Sequence, residues 1–241
     1  MFGGNAMKNN LPDCKLAEWK KEQEFLRRSI CLDDFNISNV KYVAGVDIAY
    51  TKIQNQEFGC CSIVTIDNTS FKVVEQVGYI GKIDVDYLPG FLSFRELPLI
   101  LQTCKQLKLS PDVFVFDGNG LIHPVRMGIA THASFYLKKP CIGVAKTFFR
   151  AEENLVFDMP ANIVGTSTNI VSNNGEILGI ALRTKKDCKP VFISVGNYMS
   201  LENAKDLIIR YITDESRIPI PTRLADIETH KLRKNFLQIN N

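Results

Sequence analysis

The chain has 241 residues, 45% of them hydrophobic and 23% charged, with a formal net charge of +3 from 29 Lys+Arg against 26 Asp+Glu. That length and composition suit one large α/β domain with its own core and exclude an intrinsically disordered chain. No apolar run approaches the roughly twenty residues of a membrane-spanning helix, and so small a positive charge permits an anionic partner without demanding one.

Residues 1–14 read as a flexible extension, with Gly and Asn among the first ten residues, followed by a single domain over 15–241. Charged Lys15, Glu18, Lys20 and Lys21 follow where a signal peptide would need an apolar stretch, so a soluble cytoplasmic protein is expected. The seven cysteines are odd in number and lack CxxC spacing. They read as small buried hydrophobes in a reducing compartment, with neither disulfides nor zinc.

The first helix is expected over residues 15–30, where Leu16, Trp19, Phe25 and Leu26 recur near helical spacing. Strands follow at 42–50, 58–66 and 72–80, the last two separated by a turn at Asp67-Asn68. A helix over 92–107 precedes a buried strand at 112–116 that runs into Asp117-Gly118-Asn119-Gly120. Pro124 is placed to open a helix reaching 137. A short strand at 140–145, strands at 177–183 and 191–195, and a helix over 201–212 complete the reading. A three-strand meander followed by alternating helices and strands predicts an α/β fold, a mixed sheet flanked by helices on both faces. That order is ribonuclease H-like.

Two acids interrupt apolar strands. Asp47 lies inside Val43-Ala44-Gly45-Val46-Asp47-Ile48-Ala49-Tyr50, and Asp117 directly follows Val113-Phe114-Val115-Phe116. An unpaired carboxylate there is costly, so each must be satisfied or stand at a sheet end facing solvent. Asp117-Gly118 also reads as an ordinary turn, whereas Asp47 has no turn residue beside it. If the two strands are neighbours, the carboxylates meet and offer hard oxygen ligands suited to Mg²⁺ or Mn²⁺. Glu96 is a third acid, near the start of a helix, where the macrodipole alone would favour it.

Five blocks, in order, resemble the endonuclease V family. They are Gly45 to Tyr50; Tyr87-Leu88-Pro89-Gly90-Phe91-Leu92-Ser93-Phe94-Arg95-Glu96; Asp117 through Gly120 with His123-Pro124, Gly128 and His132; Ile142-Gly143-Val144-Ala145-Lys146-Thr147; and Pro219 to Asp226. The resemblance implies an endonuclease that flips hypoxanthine (inosine or deoxyinosine) out of DNA or RNA. It would hydrolyse the second phosphodiester bond 3′ to that base, leaving 3′-hydroxyl and 5′-phosphate ends, in repair of deaminated adenine or in cleavage of inosine-containing RNA. It implies a metal site of Asp47, Glu96 and Asp117 for Mg²⁺, with Mn²⁺ able to substitute. Asp226 is implied as a further ligand or orienting acid, with His230 competing for that role, and Lys146 as an active-site cation. His123 would contact phosphate or shuttle a proton, although a turn histidine before Pro124 is the plainer reading.

Tyr87, Leu88, Pro89 and Gly90 look like that family's wedge, which would fill the space of an extruded base. The pocket is expected to be read by backbone close to Gly90, Gly118, Gly128 and Gly143, with Leu92 and Ile129 as apolar walls. Hypoxanthine accepts at O6 and donates at N1, while adenine reverses both. Val125 stands where some relatives have a second basic residue, which leaves Arg126 as the expected phosphate contact, with Lys138 and Lys139 nearby. A monomer is expected. The competing readings are a structure-specific ribonuclease H-like nuclease and a catalytically inactive inosine-binding module.

Overall fold

The computed structural model describes residues 13–32, 35–152 and 155–240. Most of the expected N-terminal extension, residues 1–12, lies outside the described residues, while Asp13 and Cys14 already belong to helix α1 (Asp13–Arg27). The meander forms as β1 (Tyr42–Ile53), β2 (Gln56–Asp67) and β3 (Val73–Lys82), paired antiparallel in sequence. Asp67 builds the second turn, its Oδ1 accepting from the Thr69 and Ser70 amides at 3.1 and 2.8 Å. Helix α2 (Leu92–Cys104) leads to β4 (Val113–Phe116), and α3 (Ile129–Leu137) leads to β5 (Cys141–Ala145). Both new strands run parallel to β1, in the order β1-β4-β5.

The sheet continues through β6 (Ser167–Val171), β7 (Ile177–Leu182) and β8 (Val191–Val195) in the full order β3-β2-β1-β4-β5-β8-β7-β6. Helices α4 (Leu201–Ile209) and α5 (Ile220–Asn240) close the chain. Alternate residues of the central strands are buried on opposite faces. Val43, Val113, Val115, Ile142 and Val144 pack with Leu207 and Ile208 of α4 and Ala225 of α5. Ala44, Val46, Phe114 and Phe116 pack with Leu97 and Ile100 of α2 and Ile129 and Ala133 of α3. Burial on both faces explains why these strands read as continuous apolar runs.

Three elements differ from the sequence expectation. The helix expected from Pro124 begins only at Ile129. Arg126 takes a left-handed φ of 63°, and His123 Nδ1 accepts from the Val125 and Met127 amides at 3.3 and 3.2 Å, which closes a turn where a helix would have to run. Strand β6 and the long α5 were not expected at all. β6 is largely polar and lies at the sheet edge, paired with β7 and bridged through Val171 to Val156.

The seat of α5 is set by Gly45. A Cβ on Gly45 would stand 1.9 Å from the Pro221 carbonyl oxygen, so the first turn of α5 lies directly on β1 because no side chain intervenes. α5 thereby brings its own polar residues to the carboxyl ends of the parallel strands, where ligand sites of open α/β sheets form.

Candidate active site

Strand parity puts three functional side chains on the α5 face. Asp47 follows Val43 and Gly45 by twos, Asp117 follows Val113 and Val115, and Lys146 follows Ile142 and Val144. Val46 and Phe116 are register partners, and the Asp117 amide donates to the Val46 carbonyl at 3.2 Å, so Asp47 and Asp117 stand side by side. Asp226 enters from α5. Carboxylate oxygens of Asp47, Asp117 and Asp226 all lie within 4.8 Å of one another.

Lys146 balances this charge. Its Nζ lies 2.6 Å from Asp117 Oδ2 and 3.0 Å from Asp226 Oδ1. Burial alone would lower its pKa, but the two carboxylates more than offset that and raise it. Asp47 is shifted upward, chiefly by burial and further by Asp117, against the hydrogen bond that Thr229 Oγ1 donates to its Oδ2 at 2.8 Å. Thr229 is fully buried and was not singled out from the sequence. A lone Thr in a polar C-terminal segment carries no signal until the helix and its contact with β1 are known. Three clustered carboxylates without Cys or His among them are a hard-oxygen donor set, which fits a small divalent cation.

Asp226, expected as a further ligand or orienting acid, joins Asp47 and Asp117 in this cluster, and Glu96 lies near enough to feel the charges of Asp47 and Asp117. Tyr50 Oη donates to Glu96 Oε1 at 2.6 Å. Burial, reinforced by the charges of Asp47 and Asp117, pushes the Glu96 carboxyl up to about 7. His230 Nε2 is 4.0 Å from Asp226 Oδ2, one helical turn away, so it flanks the cluster.

A cavity open to solvent lies beside the acids. Its lining includes Tyr87, Gly90, Leu92, Gly118, Gly128 and Ile129, and Gly118 adjoins Asp117 in sequence. Leu88, Pro89 and Gly143 do not line it. Gly143 has a packing role instead, because a Cβ there would meet the Gly118 carbonyl oxygen at 2.6 Å and push loop 118–120 off β5. Asn119, Ser93, Met127 and Phe149 line the cavity without having been expected, and Asn119 Oδ1 is buried without a hydrogen-bond partner.

His123 lines the same cavity, yet both ring nitrogens are engaged. With Nδ1 accepting two amides, Nε2 carries the proton and donates to the Gly90 carbonyl at 3.1 Å, which Gln23 of α1 also reaches at 2.9 Å. Burial lowers its pKa to about 4. The ring ties the 87–91 loop to the 118–128 loop, as the turn-histidine reading has it. His132 is likewise buried, accepting from Ser93 Oγ at 2.7 Å and donating to Glu22 at 2.9 Å, and burial lowers its pKa. Arg126, expected as a phosphate contact, is engaged within the protein. It is buried, and its guanidinium meets Glu152 at 2.5 Å and Glu176 at 2.9 Å, two partners far off in sequence.

A sheet of this order, with carboxylates and a lysine at the ends of its parallel strands, defines a nuclease of the ribonuclease H-like class. The endonuclease V family profile matches residues 24–227. Endonuclease V of Bacillus thuringiensis is 47% identical over 232 residues, covering 95% of this chain and 98% of that protein. The crystal structure of Bacillus subtilis endonuclease V superposes with a TM-score of 0.89 at 42% identity, covering 100% of both chains. A Ciona intestinalis endonuclease V, in complex with a 24mer DNA containing an inosine followed by a ribo-adenosine, gives 0.79 at 29% identity over 93% of this chain and 100% of that one. The chain belongs to the endonuclease V family, and it is accordingly a hydrolase that cuts phosphodiester bonds within nucleic-acid strands.

Proposed function

We propose that this protein flips hypoxanthine, as inosine or deoxyinosine, out of a nucleic-acid strand and hydrolyses the second phosphodiester bond on its 3′ side, leaving 3′-hydroxyl and 5′-phosphate. The observation that carries this reading is the adjacency of this cavity and the acid cluster through Gly118 and Asp117. The inosine-containing DNA bound by the Ciona protein supports the same substrate class. Tyr87, 58% exposed at the cavity's edge, is the wedge that stacks where the base leaves, with Leu88 and Pro89 stiffening its loop. Asn119 Oδ1 offers an acceptor that the N1–H of hypoxanthine satisfies and the bare N1 of adenine does not, a mismatch worth roughly 1–3 kcal/mol.

Asp47, Asp117 and Asp226 would hold Mg²⁺, with Mn²⁺ as substitute, and the ion would supply an acidified water and charge neutralisation at the phosphate. Lys146 orients the phosphate and stabilises its charge as the bond breaks. Thr229 fixes the Asp47 carboxylate. Glu96, held by Tyr50 within the field of Asp47 and Asp117, accepts or returns a proton near neutral pH. Buried thiols at Cys60, Cys61 and Cys141 fit a reducing compartment and hence the cytoplasm.

The test is cleavage of matched strands carrying deoxyinosine, inosine or adenine, by wild type and by Asp117→Asn, in Mg²⁺ and in EDTA. Cleavage confined to inosine-bearing strands, abolished by EDTA and by the substitution, is expected. Robust cleavage by Asp117→Asn in Mg²⁺ would sink the acid-site assignment, and equal cleavage of the adenine strand would sink the base reading.

A further inference from the structure

Beyond Asp226, α5 turns a second polar face outward. His230, Arg233, Lys234, Leu237 and Gln238 line a shallow, open groove. It begins where the acid cluster ends, since His230 lies one turn after Asp226 with 4.0 Å between Nε2 and Oδ2. Arg233 is held in place, donating to His230 Nδ1 at 2.9 Å and to the Tyr50 carbonyl of β1 at 3.5 Å. Lys234 is exposed. Among the described residues, no carboxylate lies within 4.0 Å of either cation, whereas neighbouring Lys231 is taken by Glu228 at 2.6 Å. The base cavity adjoins the cluster through Gly118. Cavity and groove thus both border the acids, one through Gly118 and the other through His230.

We propose that the α5 groove seats the phosphodiester backbone of the strand segment beyond the scissile bond, with Arg233 and Lys234 each meeting a phosphate. The proposal rests on the cleavage reading above. For a strand whose flipped base fills the cavity and whose scissile phosphate lies at the acids, the groove one turn beyond Asp226 offers a path onward over α5. Two positioned cations without carboxylate partners match the negative charge of that departing backbone. The exposed edge of Leu237 gives a sugar face something apolar to rest on.

The experiment compares binding of deoxyinosine strands in Ca²⁺ in place of Mg²⁺, some ending just past the cut and some extending several nucleotides further. The wild type should gain affinity from the extension, by roughly tenfold for each phosphate contact made. The double substitution R233A/K234A should lose that gain, and the charge-keeping R233K/K234R should retain most of it. Both variants are first checked for unchanged thermal unfolding. An extension gain that survives R233A/K234A undiminished overturns the proposal while leaving the base reading intact. Wild-type affinity that does not distinguish deoxyinosine from adenine strands overturns the base reading, and the length effect reports on α5 regardless.

Discussion

The imidazole of His123 acts uncharged, and its chemistry follows from that. Its two nitrogens hold the Gly90 carbonyl on one side and two amides on the other, so a proton added at Nδ1 would break the turn that orders the cavity wall. Burial lowers its pKa to about 4, against about 6.5 for an unfolded histidine. Between those values the unfolded chain binds a proton that the folded chain refuses. The stability contributed by the neutral ring is therefore whole above about pH 6.5 and is lost progressively as pH falls towards 4. At about pH 5 the loss amounts to about 2 kcal/mol. His132 adds a loss of the same sign, whereas Glu96, with its raised pKa, favours the folded state as pH falls from 7. The His123 share is therefore read as a difference between wild type and His123→Gln, by urea unfolding at neutral and at mildly acid pH. The wild type's advantage should shrink by about 2 kcal/mol on acidification to about pH 5. An advantage that stays constant would mean that the ring is not held neutral.

α5 converts a sheet with two acids into a site with three, and its seat depends on one missing side chain. Gly45→Ala would drive a Cβ into a backbone carbonyl, which no rotamer change can relieve, so the helix must move. Overpacking of this kind typically costs about 1–3 kcal/mol, and in a domain of this size each 1 kcal/mol lowers Tm by about 2–4 °C. Thr229 would move with the helix and release Asp47, so cleavage should fall further than the Tm drop accounts for. A Gly45→Ala protein that melts and cleaves like wild type would show that α5 is not seated by that contact. The sequence carried the central strands well, because burial on both faces leaves an unbroken apolar run and makes a terminal Asp conspicuous. It did not carry α5. That helix has as its buried residues the small or polar Pro221, Thr222, Ala225 and Thr229, while the apolar Ile220, Leu224, Leu232 and Phe236 are only partly buried, which leaves a weak stripe in a polar segment. Edge strand β6 was missed for a similar reason, since Ser167, Thr168 and Asn169 pack against little. Arg126 could not be read either, because its partners lie 26 and 50 residues on and only folding brings them to it.

Over the whole molecule 29 cations stand against 26 acids, and ion pairing reduces the number of cations left free to meet phosphates. Arg95 is held by Glu57, Arg126 by Glu152 and Glu176, Arg223 by Glu215, Lys231 by Glu228, and Lys146 by Asp117 and Asp226. What remains near the expected path of a strand is sparse: Lys20 and Arg27 beside Phe91 in a groove along α1, Lys138 after α3, and Arg233 and Lys234 on α5. Each phosphate neutralised adds about −0.9 to the slope of log affinity against log salt on duplex DNA. Some three to five such contacts therefore predict a slope on the order of −3 to −5, shallow for a DNA-binding protein, and weak retention on undamaged duplex at physiological salt. The energy that separates damaged from undamaged strands must then come from the cavity, where a flipped base is stacked and its polar edge matched. The check is a salt series in Ca²⁺ with deoxyinosine-containing and undamaged duplexes. Parallel shallow slopes, with the deoxyinosine duplex bound more tightly at every salt concentration, are expected, because the same few phosphates are met in both and only the base differs. A steep slope with equal affinities would mean that a broad electrostatic field holds the strand and that the cavity contributes little to recognition.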